Sequence, residues 1–128
     1  MPIVTIQVVI SSNGETYSAT DVARLSDRLG SIFNSEPGGT WVKLEYLDRS
    51  NYAENEMELD SNIQPTFVEV LKRSLPDQDI LATEAQEIAT EVARTLSRPL
   101  ENVHIIYLPP GEGRIAFGGQ LLTRPNSD

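Results

Sequence analysis

The sequence of 128 residues contains no cysteine and a single histidine, and these two shortages exclude whole classes of chemistry. Without cysteine there is no disulfide and no thiolate nucleophile, and one histidine argues against a zinc site. No apolar run is long enough to cross a bilayer, and no signal peptide precedes the first predicted strand. We therefore expect a cytoplasmic protein with no membrane partner, no metal and no cofactor.

Positive charge is also scarce, since 10 Lys and Arg against 19 Asp and Glu give a formal net charge of −9. Nucleic acid binding requires a basic face, so we expect no nucleic acid partner. The same net charge repels an anionic ligand at long range, and a carboxylate site must therefore be built by a local cluster of cations. The cations considered for such a cluster are Lys72, Arg73, Arg114, Lys43, Arg24 and Arg28.

The first predicted unit, residues 1–48, contains a strand, a helix and a strand in that order. Residues 3–10 and 40–47 alternate between two faces, as half-buried strands do. Between them, apolar residues recur at helical spacing behind Ser18, a candidate N-cap with Asp21 three residues later. This pattern predicts a β-α-β unit.

The same order repeats in residues 63–109. A strand is predicted at 66–73 and another at 102–108. Between these strands a helix is marked by apolar residues at helical spacing, namely Leu81, Ala85, Ile88, Val92 and Leu96. The chain therefore contains the β-α-β unit twice.

Two such units predict an α/β (α+β) fold in a single domain, residues 1–128. We expect a four-stranded mixed sheet with both helices on one face, because parallel β-α-β crossovers are right-handed. An acidic linker, 49–62, joins the units, and a short hairpin and tail, 110–128, end the chain. A partner subunit is the simplest cover for the residues that fall on the other face, which are Ile3, Val9, Trp41, Phe67 and Leu71.

Pro2 stands directly after the initiator methionine and at the head of the first strand. Methionine aminopeptidase normally removes Met1 before a small residue, and the chain would then begin with a free secondary amine. An ordinary chain-end amine has a pKa of about 7.7–8.0, and burial lowers that pKa because desolvation disfavours the cation. Such an amine can act as a general base near pH 7 without a histidine. The alternative is a Met-Pro start that has no chemical role.

The Met-Pro start on a duplicated β-α-β unit and the ending GEGRIAFGG at 111–119 together resemble the tautomerase superfamily. Its members include 4-oxalocrotonate tautomerase, cis-3-chloroacrylic acid dehalogenase, malonate semialdehyde decarboxylase and macrophage migration inhibitory factor. At this length the chain is similar to the fused form. The resemblance implies the tautomerase fold and a homotrimer, with the amino-terminal proline in a pocket near the subunit boundaries.

The resemblance implies that Pro2 is the catalytic amine and that Arg73, with Lys72 beside it, binds the substrate carboxylate. Neighbouring residues of a strand point to opposite faces, so we expect only one of these two cations in the pocket. Pro65 matches Pro2 in the second unit, but its nitrogen is an amide and cannot be a base. Pro76 stands near the place of a second arginine in the dehalogenase pattern, which argues against bidentate clamping of a diacid.

Further positions are carried over from the family in the second unit and the hairpin. Tyr107 lies near a family tyrosine, Glu112 near a water-activating glutamate, and His104 near a strand arginine. The other candidates are Arg114 for the carboxylate and Ile115 and Phe117 for an apolar wall. Each of these residues also has a purely structural interpretation, as a core tyrosine or histidine or as a solvated turn residue.

Three functions stay open. The first is a tautomerase (isomerase) for small enol or 2-oxo carboxylates, with Pro2 as general base and Arg73 on the carboxylate. In the second, cationic Pro2 is an acid and Glu112 activates water for hydration, dehalogenation or decarboxylation. The third is a non-catalytic trimeric binding protein, which is favoured by the lack of a cation near Ser12, where single-unit tautomerases carry an arginine.

Overall fold

The computed structural model describes residues 2–11, 14, 16–59 and 63–123, which form a four-stranded sheet, two α-helices and a two-stranded hairpin. The elements are β1 (Ile3–Ile10), α1 (Ala19–Ile32), β2 (Trp41–Asp48), β3 (Thr66–Leu71), α2 (Gln78–Leu96), β4 (Val103–Tyr107), β5 (Ala116–Phe117) and β6 (Gln120–Leu121). Short 3₁₀ helices occupy Arg49–Asn51 and Leu100–Asn102. The predicted fold class is confirmed.

The sheet has the order β2-β1-β3-β4, with each β-α-β unit contributing one parallel pair. The two units meet at β1 and β3, which are antiparallel. In this register Ile3 pairs with Leu71 and Val8 pairs with Thr66. The beginning of β1 therefore lies beside the end of β3, and this juxtaposition sets the position of the candidate site.

Helix α1 begins as the sequence predicts. The Ser18 hydroxyl accepts a hydrogen bond from the Asp21 amide (3.1 Å), and the Asp21 carboxylate accepts one from the Ser18 amide (3.0 Å). These reciprocal bonds form a capping box, which satisfies two amides that the first helical turn leaves unpaired. Hydrogen bonding to Ser18 lowers the pKa of the Asp21 carboxyl. The bond from the Ser18 backbone amide has the largest effect, and a bond with the Ser18 side chain comes second.

Both helices cover one face of the sheet, and the core lies between the two layers. The fully or almost fully buried members of this core are Val4, Ile6, Val8, Leu25, Leu29, Val68, Val70, Ile88, Val92, Leu96 and Val103. Along the strands of the four-stranded sheet, every second residue points into this core, as the alternating sequence pattern predicted. The expectation of both helices on one face is confirmed.

The other face of the sheet is partly covered by the chain itself. Trp41 and Ile106 are each 45% exposed, but Val9 is completely buried. The expectation that Val9 needs a partner subunit is wrong, because Val9 is already buried within one chain. On this face the ring centroids of Tyr52, from the segment after β2, and Phe67 are 5.8 Å apart.

The predicted linker, 49–62, folds back on itself over its described part. The Arg49 guanidinium donates hydrogen bonds to the carbonyls of Leu59 (2.8 Å) and Ile63 (3.2 Å). These bonds hold the two ends of the linker close together. Residues 60–62 of the linker and 124–128 of the tail lie outside the described residues. No helix in the described part of the chain is both long and apolar enough to span a membrane.

Candidate active site

A cavity of about 680 Å³ opens at the end of the sheet where β1 begins. Pro2 is buried in its wall, and the Pro2 carbonyl accepts a hydrogen bond from the Trp41 amide (3.0 Å), which fixes Pro2 to the start of β2. The loop after α1, the segment after β3 and the first turns of α2 complete the wall. Of the predicted site residues, Pro2, Lys72 and Arg73 line this cavity together.

Lys72 and Arg73 reach the cavity because β3 ends earlier than predicted. The sequence predicted a strand at 66–73, but Leu71 is its last residue and pairs with Ile3 at the start of β1. Beyond that pair the neighbouring residue is Pro2, which offers no amide hydrogen to a sheet ladder within a chain. Strand alternation therefore stops, and the expectation that only one of the two cations faces the pocket is wrong.

Lys72 is held on two sides within the cavity wall. Its Nζ lies 2.9 and 3.2 Å from the two carboxylate oxygens of Glu84, and 5.4 Å from the ring centroid of Phe33. The side chains of Lys72 and Glu84 are only 17% and 12% exposed, so solvent screens this pair less than it screens a surface ion pair.

Arg73 joins the cavity to the carboxy-terminal segment. Its Nε lies 3.6 Å from Glu112 Oε2, and its Nη2 donates a hydrogen bond to the Thr123 carbonyl (3.1 Å). The side chain remains 42% exposed. Arg73 therefore presents part of its guanidinium to solvent at the cavity, whereas Glu112 lies beside it and is not part of the cavity wall.

Tyr107 reaches the site through Glu84. Its hydroxyl donates a 2.9 Å hydrogen bond to Glu84 Oε1. Burial raises the pKa of the Tyr107 hydroxyl well above its usual range, and the hydrogen bond to Glu84 and the negative charge of Glu84 raise it further. Tyr107, Glu84 and Lys72 thus form one hydrogen-bonded chain from β4 to the cavity.

Four other predicted residues lie outside this cavity wall. His104 is exposed, and its ring lies 5.7 Å from that of Phe67. Phe117 packs edge-on against Trp41 at 5.4 Å. Arg114 is exposed and donates to the Pro110 carbonyl (3.3 Å), and Ile115 is half-buried in the segment before β5. The proposed roles of these four residues stay predictions.

The glycines of the hairpin serve a turn. Gly118 and Gly119 have φ angles of 57° and 85° and connect β5 to β6, a conformation that L-residues with side chains rarely adopt. The predicted carboxy-terminal hairpin is present as β5 and β6. Position Ser12, where the sequence lacks a cation, lies outside the described residues.

At the opposite end of the sheet, Pro65 stands directly before β3. Pro65 is buried, and Arg98 donates 3.0 Å hydrogen bonds to the carbonyls of Gln64 and Val9. Among the residues that the structure describes, Pro2 lies in the wall of the cavity described above and Pro65 does not.

Glu84 was not among the predicted site residues, although the sequence pattern contained a signal for it. Glu84 lies four residues before Ile88 and so continues the buried stripe of α2 toward the helix start. A carboxylate at a position where the helix pattern requires an apolar residue indicates a buried partner. Within the described residues, no three His, Asp or Glu side chains are grouped so that they could hold a metal ion.

Comparisons with known proteins bear on the fold. No family model and no curated protein matches the sequence. Among solved structures, Pt0534 inactivated by 2-oxo-3-pentynoate superimposes with a TM-score of 0.72 at 15% identity, over 94% of both chains. The Q0 fused 4-OT, a wild-type symmetric trimer, superimposes with a TM-score of 0.73 at 11% identity, again over 94% of both chains.

A third solved structure comes from Oncomelania hupensis. Its macrophage migration inhibitory factor gives a TM-score of 0.70 at 15% identity, over 95% of this chain and 82% of that one. This chain superimposes on all three structures over at least 94% of its length. The chain therefore has the fold of the tautomerase superfamily.

Proposed function

We propose that this protein is a tautomerase that isomerises small enol or 2-oxo carboxylates, with Pro2 as general base and Arg73 as ligand of the carboxylate. The observation that supports the proposal is that Pro2 and Arg73 line the same cavity. Removal of Met1 converts the Pro2 nitrogen from an amide into a secondary amine at a buried position. Burial then lowers the pKa of this amine, so that the neutral base is populated near pH 7.

The reaction requires one proton to move within one substrate. Neutral Pro2 takes the proton from the enol oxygen or from an acidic carbon, and the same nitrogen returns it to another carbon. The exposed part of the Arg73 guanidinium binds the carboxylate and stabilises the charge of the enolate intermediate. Phe33 and Ile80 contribute apolar surface to the cavity wall.

The structural neighbours support this choice of chemistry. Pt0534 is inactivated by a 2-oxo compound, 2-oxo-3-pentynoate, and other neighbours are fused 4-OT proteins. The Glu112 carboxylate is paired with the Arg73 guanidinium and lies outside the cavity wall, which does not favour a water-activating role.

We also propose a homotrimer, as in the fused 4-OT structures. The exposed Trp41 and Ile106 lie on the sheet face opposite the helices and would be covered in such an assembly. Light scattering on the purified protein should give three times the 14.2 kDa of one chain. A mass of a single chain at micromolar concentration would contradict the trimer.

The test of the reaction is the rate of ketonisation of phenylenolpyruvate by protein whose intact mass shows that Met1 is absent. Pro2→Ala should lower kcat by about 100-fold, the usual contribution of general-base catalysis. Arg73→Gln should raise KM by about tenfold or more, because it removes a charge-assisted contact. Arg94→Gln, an exposed arginine on α2, is the matched control and should change neither constant.

The pH profile separates base from acid. If Pro2 is a base, kcat/KM falls as the pH drops through the pKa of the amine. If Pro2 is an acid, kcat/KM falls as the pH rises through that pKa. Undiminished turnover by Pro2→Ala would contradict the mechanism. Absent turnover in the Met1-free protein would contradict the enzyme assignment and favour a binding protein.

A further inference from the structure

The candidate active site contains a carboxylate that the proposed reaction does not use. Glu84 contacts Lys72 Nζ through both of its oxygens, at 2.9 and 3.2 Å, and accepts a hydrogen bond from Tyr107 at 2.9 Å. Its side chain is only 12% exposed. These three contacts fix the Glu84 carboxylate against the Lys72 ammonium.

The charged side chains of the cavity wall balance each other. They are two cations, Lys72 and Arg73, and two carboxylates, Glu36 and Glu84. The cations differ in access, since the Lys72 side chain is 17% exposed and the Arg73 side chain is 42% exposed. A ligand can therefore reach the part of the Arg73 guanidinium that Glu112 and the Thr123 carbonyl leave exposed, whereas the less exposed Lys72 ammonium is occupied by the Glu84 carboxylate.

We propose that Glu84 determines which substrates the cavity accepts, by occupying Lys72 so that monocarboxylates bind at Arg73 and dicarboxylates are rejected. The proposal rests on the proposed function for the reaction but concerns only the charge of the ligand. A second substrate carboxylate near Lys72 would lie close to Glu84, and like charges in a partly desolvated cavity repel each other.

Crotonate and fumarate test the proposal, because they share a trans four-carbon skeleton and differ only in a methyl group against a second carboxylate. Their dissociation constants can be measured by NMR titration of the Met1-free protein. The unaltered protein should bind crotonate at least as tightly as fumarate. In Glu84→Gln the affinity for fumarate should rise by about tenfold or more, and that for crotonate by a smaller factor.

Glu87→Gln is the matched control. Glu87 lies on the same helix, is exposed and is not part of the cavity wall, and its substitution makes the same change in net charge. It should change both affinities by less than about twofold, because exposed charges are screened. Adding Lys72→Gln to Glu84→Gln should remove the gain in fumarate affinity, since the freed ammonium is its cause.

Three results would overturn the proposal: tighter binding of fumarate than of crotonate by about tenfold in the unaltered protein, no relative gain of fumarate in Glu84→Gln, or an equal gain in Glu87→Gln. The comparison on the unaltered protein keeps the test decisive even where Glu84→Gln does not fold. No step of this assay involves turnover, so a failure of the Pro2 mechanism leaves these affinities unchanged and is recognised separately by the ketonisation assay.

Discussion

Arg98 donates a 3.1 Å hydrogen bond from Nε to the hydroxyl of Tyr17, and this hydroxyl donates in turn to the carbonyl of Leu96 (2.7 Å). The Nη1 group of the same guanidinium donates to the carbonyls of Val9 and Gln64. Arg98 therefore ties the residues after α2 to the end of β1 and to the residues that enter β3, at the end of the sheet away from the cavity.

Arg98→Met should lower the free energy of unfolding by about 2–3 kcal/mol, because two backbone carbonyls lose a charged donor. Arg94→Met is the control, since Arg94 is 63% exposed and its ion pair is with Glu91 three residues earlier, so a change below about 0.5 kcal/mol is expected. Urea unfolding measures both. Equal effects of the two substitutions would show that the Arg98 network does not stabilise the fold.

Thr66 is completely buried, and its hydroxyl has no hydrogen-bond partner among the residues that the structure describes. An unpaired buried hydroxyl costs about 1–3 kcal/mol, so Thr66→Val should raise the free energy of unfolding by about 1 kcal/mol. Thr5→Val, on the opposite sheet face of β1, should change it by less than about 0.5 kcal/mol. A clear loss of stability in Thr66→Val would mean that the hydroxyl has a partner.

The Tyr107–Glu84 hydrogen bond should make stability depend on pH in the alkaline range. The pKa of Tyr107 is raised above its usual value of 10.0, so the stabilisation is complete below pH 10 and is lost as the pH rises through the folded-state pKa. At pH 7 the substitution Tyr107→Phe should lower the free energy of unfolding by about 1–2 kcal/mol. The difference between the two proteins should shrink above pH 10. A difference that stays constant up to pH 11 would contradict the raised pKa.

Local patterns in the sequence were sufficient to predict most of the fold. The Ser18 and Asp21 pair specifies the start of α1 because a capping box depends on residues three apart. The strands follow from alternation over eight residues, and the duplicated order of elements then limits the topology to a mixed sheet. These features depend on residues that are close together in the sequence, so they can be recognised from one sequence alone.

The candidate site was less predictable because it depends on where separate elements meet. Lys72 and Arg73 share a cavity because the pairing of β3 with β1 ends at Leu71 and Ile3, which is a property of register. The contact of Glu84 with Lys72 depends on how α2 lies over the end of β3. The carboxylate in the buried stripe of α2 was visible in the sequence, but its partner was not.

The central claim is that a free amine at Pro2 performs the chemistry, and the most direct test changes that amine alone. Phenylenolpyruvate ketonisation should be compared between protein that lacks Met1 and protein that retains it, in which the Pro2 nitrogen is an amide. The account predicts a rate at least about 100-fold higher for the protein that lacks Met1. Equal rates for the two forms would contradict it.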